Sequence, residues 1–386
     1  MSSDQNVEHD RLVEGIAARL RNPSKWLVEN LYQHKEAGRT GVEIATDWDA
    51  RKHSETPMSE SRCRRLVTDV RDSVDSYYRT DEGLDERLRL WIPKNKSVKG
   101  PDYNPYHVDF ALNNGAASFW KTHLKKRREN ALIVTEPVFF RDTQKRHLYL
   151  RHFEVNRGGA EGVKAIKEKV PGLQQLPLED IRHYVSFAEM KGMLATVGFL
   201  EGFRIVSDRP VAQHMRVGDE RIEDRNVIAF GTSRANVEID TIQRNNQLGY
   251  SIEEDHLLIR NPTDLERSLL EASETPITET GIGVQIFEDQ CERIVYAVVT
   301  RGVRPNGRSE TAIASNHGAA TQGICELLAN DESVKKLTTE MHLDEDWHGF
   351  PLAFQILFRV ELDSDESRPK QVTYVSWRRG KDGGPI

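Results

Sequence analysis

Two glycine-containing loops combine residue types that are suited to holding a small anion. Residues 231–236 read G-T-S-R-A-N and follow the apolar run N-V-I-A-F, and residues 315–321 read S-N-H-G-A-A-T. Each loop leads into a stretch with helical periodicity. A helix N-terminus offers unpaired N–H groups and the positive end of the helix dipole, which together favour a negatively charged group. Glycine in addition lets the main chain approach such a ligand closely.

Side chains in these loops supply hydrogen-bonding groups and charge, and a third loop, T-E-P-V-F-F-R-D, adds an acid and a base. The candidate ligand-binding residues are Glu136, Arg141, Gly231, Thr232, Ser233, Arg234, Asn236, Asn316, His317, Gly318 and Thr321. Taken singly, each loop is better explained as a helix cap with a turn glycine. Neither loop matches a dinucleotide fingerprint or a G-K-[ST] phosphate loop. The prediction of one pocket therefore depends on the loops lying at the same edge of a sheet.

The elements around these loops predict such an edge. From residue 131 onward, short apolar strands such as A-L-I-V-T and N-V-I-A-F alternate with helical patterns. Alternating strands and helices predict a largely parallel sheet, here a three-layer Rossmann-like α/β domain over residues 131–386. Ligands of such sheets gather beyond the carboxyl ends of the strands. All three polar loops follow a predicted strand, so we expect them to meet there.

The preceding part of the chain has a different pattern. Residues 1–100 show three helical segments, then the alternating strand R-L-R-L-W-I-P and the basic loop K-N-K-S-V-K-G, which is the order of a winged helix. The helix predicted over residues 59–79 is basic in its first half. The candidate DNA-contacting residues are Arg62, Arg64, Arg65, Arg71, Lys94 and Lys96. Asp69, Asp72 and Asp75 share this helix, so a solvated helix face is the alternative interpretation. Residues 101–130 are predicted to link the two domains.

Residues 24–100 resemble a bacterial winged-helix domain related to response-regulator effector domains. The resemblance rests on Arg64-Arg65-Leu66, Tyr77-Tyr78 and Trp91-Ile92-Pro93-Lys94. It implies DNA binding and a role in transcription regulation. The family commonly continues with Gly-x-Tyr after the lysine, where this chain has Asn95-Lys96-Ser97. The rest of the chain resembles a region of no established function that follows such winged helices, through residues 136–140, 231–236 and 318–321.

Composition narrows the class of protein. Hydrophobic residues make up 37% and charged residues 30% of the 386 residues, as expected for a globular protein in water. Residues 1–128 hold 23 Lys and Arg against 20 Asp and Glu, and the remaining residues hold 31 against 41. The N-terminus lacks the pattern of a signal peptide and no apolar run reaches membrane-spanning length, so we expect a cytoplasmic protein with no membrane partner. The three cysteines have no zinc or disulfide spacing.

These patterns support one leading hypothesis and two alternatives. The leading hypothesis is a ligand-responsive DNA-binding regulator that senses a small anionic molecule, such as a nucleotide, and that has DNA, this ligand and a second copy of itself as candidate partners. No catalytic or metal-binding motif is present, and no cofactor is implied. The first alternative is an enzyme acting on a nucleotide or nucleotide sugar, with the winged helix as a docking module. The second is a protein-interaction scaffold.

Overall fold

The computed structural model divides the chain into two units. Unit 1 comprises Met1–Asn114 with Asp346–His348, and unit 2 comprises Gly115–Glu345 with Gly349–Ile386. The structure describes residues 3–50, 58–93, 106–125, 129–135, 139–144, 149–150, 159–181, 186–202, 211–213, 220–232, 236–246, 248–253, 256–271, 277–278, 281–285, 294–315, 317–363 and 368–380. Within these ranges no helix has both the length and the apolar composition that a membrane crossing requires.

Unit 1 consists of helices followed by a two-stranded antiparallel sheet. Its elements are α1 (Ser3–Ala17), α2 (Ser24–Gln33), α3 (Gly41–Ala50), α4 (Glu60–Tyr77), α5 (Asp81–Asp85), β1 (Leu88–Trp91) and β2 (Asp109–Leu112). Leu88 pairs with Leu112 and Trp91 with Asp109. A further antiparallel bridge joins Arg39, just before α3, to Tyr106, just before β2.

Helix α4 begins and packs as its sequence predicts. The Ser59 hydroxyl accepts a hydrogen bond from the Arg62 N–H at 3.3 Å, which satisfies one of the donors that a helix start leaves open. The predicted apolar stripe is buried and packs with residues of α2 and α3. The buried residues of this stripe are Leu66, Val67, Val70, Val74, Tyr77 and Tyr78. Helix α4 therefore has one face in the core and one face in solvent.

Unit 2 begins inside the segment that the sequence predicted as a linker. Residues 101–130 contribute β2 to unit 1 and the first helix to unit 2, so the described part of this segment is folded. The elements of unit 2 are α6 (Ala116–Leu124), β3 (Asn130–Thr135), β4 (Phe139–Asp142), β5 (Tyr149–Leu150), α7 (Gly159–Lys169), β6 (Leu178–Ile181), α8 (Phe187–Gly202), β7 (Val211–Gln213), α9 (Glu220–Glu223), β8 (Asn226–Gly231), α10 (Val237–Asn245), β9 (Tyr250–Glu253), β10 (His256–Ile259), α11 (Asp264–Glu271), β11 (Ile277–Thr278), β12 (Gly281–Gln285), β13 (Ile294–Val303), β14 (Ser309–Ser315), α12 (Gly318–Leu328), α13 (Asp331–Glu340), β15 (Phe354–Leu362) and β16 (Pro369–Arg379).

The main sheet of unit 2 is mixed rather than largely parallel. Its strand order is β16-β15-β13-β14-β8-β3-β7, and two smaller sheets have the orders β11-β12-β10-β9 and β5-β4-β6. The pairs β14–β8, β8–β3 and β3–β7 are parallel, whereas β13 pairs antiparallel with β14 and β15, and β15 with β16. Only residues 304–308 separate β13 from β14, and a parallel pair would need a crossover of about a dozen residues or more. The short turn therefore dictates the antiparallel pairing of β13 with β14.

Helices cover both faces of the parallel strands. Side chains alternate across a sheet, and Ala131, Ile133, Val227 and Ala229 share a buried cluster with α10 and with the sheet formed by β9 and β10. The intervening residues of β3 and β8 are buried as well. Helices α8 and α12 pack against each other, and both contact β8. Helix α12 also contacts β14, and α8 also contacts β3. Burial on both faces explains why the sequences of β3 and β8 are apolar throughout.

Polar side chains are buried where the parallel strands begin. The Asn226 Nδ2 group donates to the Thr122 carbonyl at 3.2 Å, and its Oδ1 accepts from the Ser309 N–H at 2.9 Å. Asn130 donates through Nδ2 to the carbonyl of His123 at 2.9 Å. These bonds join the first residues of β3, β8 and β14 to α6 and thereby fix the register of the three strands.

The same network fixes the tautomer of a buried histidine. Arg301 Nε donates to Thr311 Oγ1 at 3.1 Å, and Thr311 Oγ1 lies 2.9 Å from His123 Nε2. His123 Nδ1 lies 3.0 Å from the Asn130 side-chain oxygen, which can only accept, so Nδ1 carries the proton. In the tautomer with the proton on Nδ1, Nε2 accepts the Thr311 hydroxyl proton. Hydrogen bonds thus run in one direction from Arg301 to His123.

Removing the hydroxyl in the middle of this chain tests its contribution to stability. We expect Thr311→Val to lower the free energy of unfolding by about 2–4 kcal/mol, because two buried polar groups lose a partner while the side-chain volume is kept. Thr373→Val is the matched control, since Thr373 is exposed on β16 and its replacement should change stability by less than about 0.5 kcal/mol. Urea denaturation followed by circular dichroism measures both. Equal effects of the two substitutions would contradict this role of Thr311.

Candidate functional site

Three arginines project from the solvent-facing side of α4. Arg62, Arg64 and Arg65 lie in the first two turns of the helix and are exposed. The side chains of Arg62 and Arg65 have no hydrogen-bond or ion-pair partner among the residues that the structure describes. The pair therefore presents two guanidinium groups that are free to bind an external acceptor.

These two arginines line a groove between the start of α4 and the start of α2. The groove has a volume of about 470 Å³. It is lined by Pro23, Ser24, Met58, Ser61, Arg62, Arg65, Leu66 and Asp69. Two positive groups and one negative group at the rim give the groove a net positive charge. A phosphate diester is the kind of group that such a surface binds.

The side chain of Arg71 has different surroundings from those of Arg62 and Arg65. Its guanidinium is half-buried and donates to the carbonyl oxygens of Ile92, at 2.9 Å, and of Pro93. Burial lowers the pKa of Arg71. The side chain ties the end of β1 to α4, so its position favours a structural role over contact with DNA. Lys94 and Lys96 lie outside the described residues.

The second candidate site lies at the carboxyl edge of the parallel strands in unit 2. Strands β3, β8 and β14 end at Thr135, Gly231 and Ser315, and parallel neighbours end at the same edge of the sheet. Gly231 has a φ of +115°, a conformation that favours glycine. A side chain at this position would in addition clash with the hydroxyl of Thr135, which donates to the Phe230 carbonyl at 3.2 Å.

Both predicted loops contact one glutamate that the sequence did not single out. A Cβ atom added at Gly231 would lie 3.0 Å from a carboxylate oxygen of Glu189, and one added at Gly318 would lie 3.7 Å from its Cγ atom and 2.6 Å from Ser186 Oγ. Glu189 is in the first turn of α8 and only 5% exposed. The two glycines therefore lie close together because each abuts the same side chain, as the prediction of a shared site requires.

Two of the predicted ligand-binding side chains serve as helix caps. Asn236 donates through Nδ2 to the carbonyls of Ile133 and Phe230 at 3.4 and 3.2 Å, and its Oδ1 accepts from the Glu238 N–H at the start of α10. His317 Nδ1 accepts from the Ala319 N–H at 3.2 Å at the start of α12. Asn236 uses its amide group entirely on the main chain, so it shapes the loop.

The first turn of α12 contributes two further buried groups. Thr321 is completely buried and its hydroxyl has no hydrogen-bond partner among the described residues. The Oε1 atom of Gln322 is also buried and unpartnered, while its Nε2 donates to Glu326 at 2.7 Å. The Gln322 Cα atom would lie 3.1 Å from a Cβ at Gly192 of α8. This face of α12 is therefore pressed closely against α8.

The remaining predicted residues are separate from this cluster or cannot be described. Arg141 pairs with Glu179 across β4 and β6 of the small three-stranded sheet, with an Nε–Oε1 distance of 2.8 Å. Thr232 is half-buried directly after Gly231. Glu136, Ser233, Arg234 and Asn316 lie outside the described residues.

A local signal for Glu189 does exist in the sequence. Residues 186–189 read S-F-A-E, the Ser-x-x-Glu pattern of a helix start, and the Glu189 N–H lies 3.4 Å from Ser186 Oγ. That pattern predicts a helix cap and nothing about the two glycine loops, which are distant in sequence. Comparison with known proteins found no matching family model, no matching curated protein and no matching solved structure.

A substitution at Gly231 tests the close approach of β8 to Glu189. We expect Gly231→Ala to lower the free energy of unfolding by about 2 kcal/mol or more, because a positive φ and a clash with Thr135 act together. Gly198→Ala is the control, because this glycine lies in α8 with open space around it. The substitution should raise the free energy of unfolding by about 0.5–1 kcal/mol. Thermal and urea unfolding measure both. A stable Gly231→Ala protein would argue against this geometry.

Proposed function

We propose that the protein is a DNA-binding regulator in which unit 1 is a winged helix and unit 2 is a Rossmann-like domain that senses a small anionic molecule, such as a nucleotide. The order α2, α3, α4, β1 and β2 supports the winged helix, with α4 as the helix that enters the major groove. The bridge between Arg39 and Tyr106 supports it as well, because it brings the segment before α3 to the two-stranded sheet.

The observation that carries the proposal is a pair of arginines on α4, Arg62 and Arg65, whose side chains have no partner in the described part of the chain. Arg62 and Arg65 face solvent one turn apart, where residues spaced by three share a helix face. One acidic residue of α4 does not offset this positive charge, since Asp75 is already paired with Arg89 at 2.9 Å. In the proposed complex Arg62 and Arg65 bind phosphate oxygens or base edges.

DNA binding by the full chain tests the proposal directly. We expect an affinity for double-stranded DNA that falls steeply with salt, because phosphate contacts release counterions. Arg62→Gln with Arg65→Gln should reduce the slope of log affinity against log salt by about 2, and should weaken binding roughly tenfold or more at low salt. Fluorescence anisotropy with a labelled duplex at several salt concentrations gives both quantities.

The control must remove the same charge elsewhere. Arg260→Gln with Arg267→Gln removes two exposed arginines of unit 2, and this variant should keep the slope of the parent protein. Asp72→Asn, on α4 itself, should not weaken binding. No binding by the full chain at low salt would refute the regulator hypothesis, and so would equal losses in the two double variants.

A second candidate function is an enzyme that acts on a nucleotide or nucleotide sugar. The observation in its favour is Glu189, a buried carboxylate between two glycine loops, since such a group can take up or give a proton. Turnover of nucleotides or NAD by the full chain, followed by chromatography, tests it. Turnover that is lost in Glu189→Gln and kept in Glu201→Gln, an exposed residue of the same helix, would favour the enzyme. Absence of turnover favours the regulator.

A further inference from the structure

Helix α8 is apolar on all sides, although only one side of it is buried by the described part of the chain. Its sequence, F-A-E-M-K-G-M-L-A-T-V-G-F-L-E-G, has three charged residues among sixteen. Its buried residues are Glu189, Gly192, Met193, Thr196 and Leu200, and on this side α12 abuts Gly192 and β8 abuts Glu189. A helix that is hydrophobic all round is normally enclosed all round. The outer side of α8 therefore lacks the cover that its composition predicts.

Two large apolar side chains are exposed on this outer side. Phe187 is 75% exposed and Leu194 is 56% exposed. They lie seven residues apart, about two helical turns, so they share one face, and the half-buried Met190 and Val197 flank them. Among the side chains that the structure describes, every other helix or strand exposes at most one large hydrophobic residue. Single residues of that kind are ordinary on a protein surface, whereas an apolar face marks an interaction site.

Small residues occupy the second half of the same face. Gly198 follows Leu194 by four residues and Gly202 follows Gly198 by four, so both continue the stripe that Phe187 begins. Both glycines are exposed, and a Cβ atom added at either would meet no atom within 4 Å. The outer face thus has large residues near its N-terminal end and space above its C-terminal end. Two such faces are complementary when the helices run antiparallel.

We propose that α8 pairs with α8 of a second copy of this chain, antiparallel, about a two-fold axis beside Leu194 and Ala195. In this register Phe187 lies opposite Gly202 of the second copy, and Leu194 lies opposite Ala195. Each large side chain then fills the space above a small residue, and the symmetry repeats every contact. A parallel pair would place Phe187 against Phe187 and would leave the space at Gly202 unfilled.

Charge complementarity supports the same partner and the same register. The Lys191 ammonium lies 4.4 Å from the centre of the Phe187 ring, so the side chain extends towards the N-terminal end of α8. In the antiparallel pair that end lies beside Glu201 of the second copy, because Glu201 is in the last turn of the helix. Within the described residues neither Lys191 nor Glu201 forms an ion pair. The dimer therefore gains two symmetric Lys191–Glu201 contacts. This inference goes beyond the proposed function and does not depend on DNA binding.

The oligomeric state of the full chain tests the proposal. We expect a monomer–dimer equilibrium with a Kd of about 1–100 µM, since a contact made mainly by one helix is at the small end of specific interfaces. Leu194→Glu should weaken association by about tenfold or more, because it brings two carboxylates together at the axis. Leu265→Glu is the matched control, since Leu265 of α11 is 59% exposed and its replacement should leave the Kd unchanged. Analytical ultracentrifugation at concentrations below and above the expected Kd measures all three proteins.

Charge reversal tests the antiparallel register. Lys191→Glu alone and Glu201→Lys alone should each weaken the dimer about three- to tenfold, because like charges then face each other twice. The double variant should recover the parent Kd, and circular dichroism checks that every variant is folded. The proposal is overturned if the chain stays monomeric at the highest concentration, which would mean that solvent or another segment of the chain covers this side. It is also overturned if Leu194→Glu and Leu265→Glu associate equally, or if the double reversal fails to restore what the single reversals weaken.

Discussion

Arg301 carries a positive charge into the interior of unit 2, where none of the described residues places a carboxylate beside it. The arrangement of the surrounding elements depends on satisfying that charge. The residue is 1% exposed, and burial lowers its pKa to about 9. Its guanidinium donates to the Phe119 carbonyl and to the Thr311 hydroxyl, and it lies 4.2 Å from the centre of the Phe119 ring. The carbonyl, the hydroxyl and the aromatic ring can replace the water around this buried charge only if they are held in fixed positions. Helix α6 and strands β13 and β14 are therefore held together at one point, from which His123 and Asn130 extend the same constraint to β3.

These hydrogen bonds lie at the edge of the sheet where the parallel strands begin, and they determine the geometry at the edge where the strands end. Once the first residues of β3, β8 and β14 are in register, strands of six or seven residues must end at a common edge. Thr135 and Gly231 then become neighbours, and the helix that follows β14 begins beside α8. Glu189 occupies the point where these ends meet. A buried carboxylate therefore lies at the point where two glycine loops at helix starts predict an anion site.

In unit 1, the two faces of α4 have different surroundings. The apolar face of α4 is buried against α2 and α3, which holds the helix in place. The other face is left to solvent, and Arg62 and Arg65 there have no side-chain partner among the residues that the structure describes. Arg71 lies about two turns further along the same helix, and its guanidinium is bound to the carbonyls of Ile92 and Pro93. The count of positive charges on α4 therefore does not distinguish Arg71, which is bound to the main chain, from Arg62 and Arg65, which have no side-chain partner within the described part of the chain.

The sequence by itself determined the local elements, because periodicity, caps and glycine stops act within a few residues. It predicted α4, β3, β8, α10, β14 and α12, the buried stripe from Leu66 to Tyr78, and the position of both glycine loops at strand ends. Tertiary structure decided the antiparallel half of the sheet, the folding of the expected linker into β2 and α6, and the different surroundings of Arg71. It also decided that Glu189 lies between Gly231 and Gly318, more than forty residues from one and more than a hundred from the other. Contacts of that kind depend on how strands pair and helices pack, and no local pattern records which distant residue will fill the space.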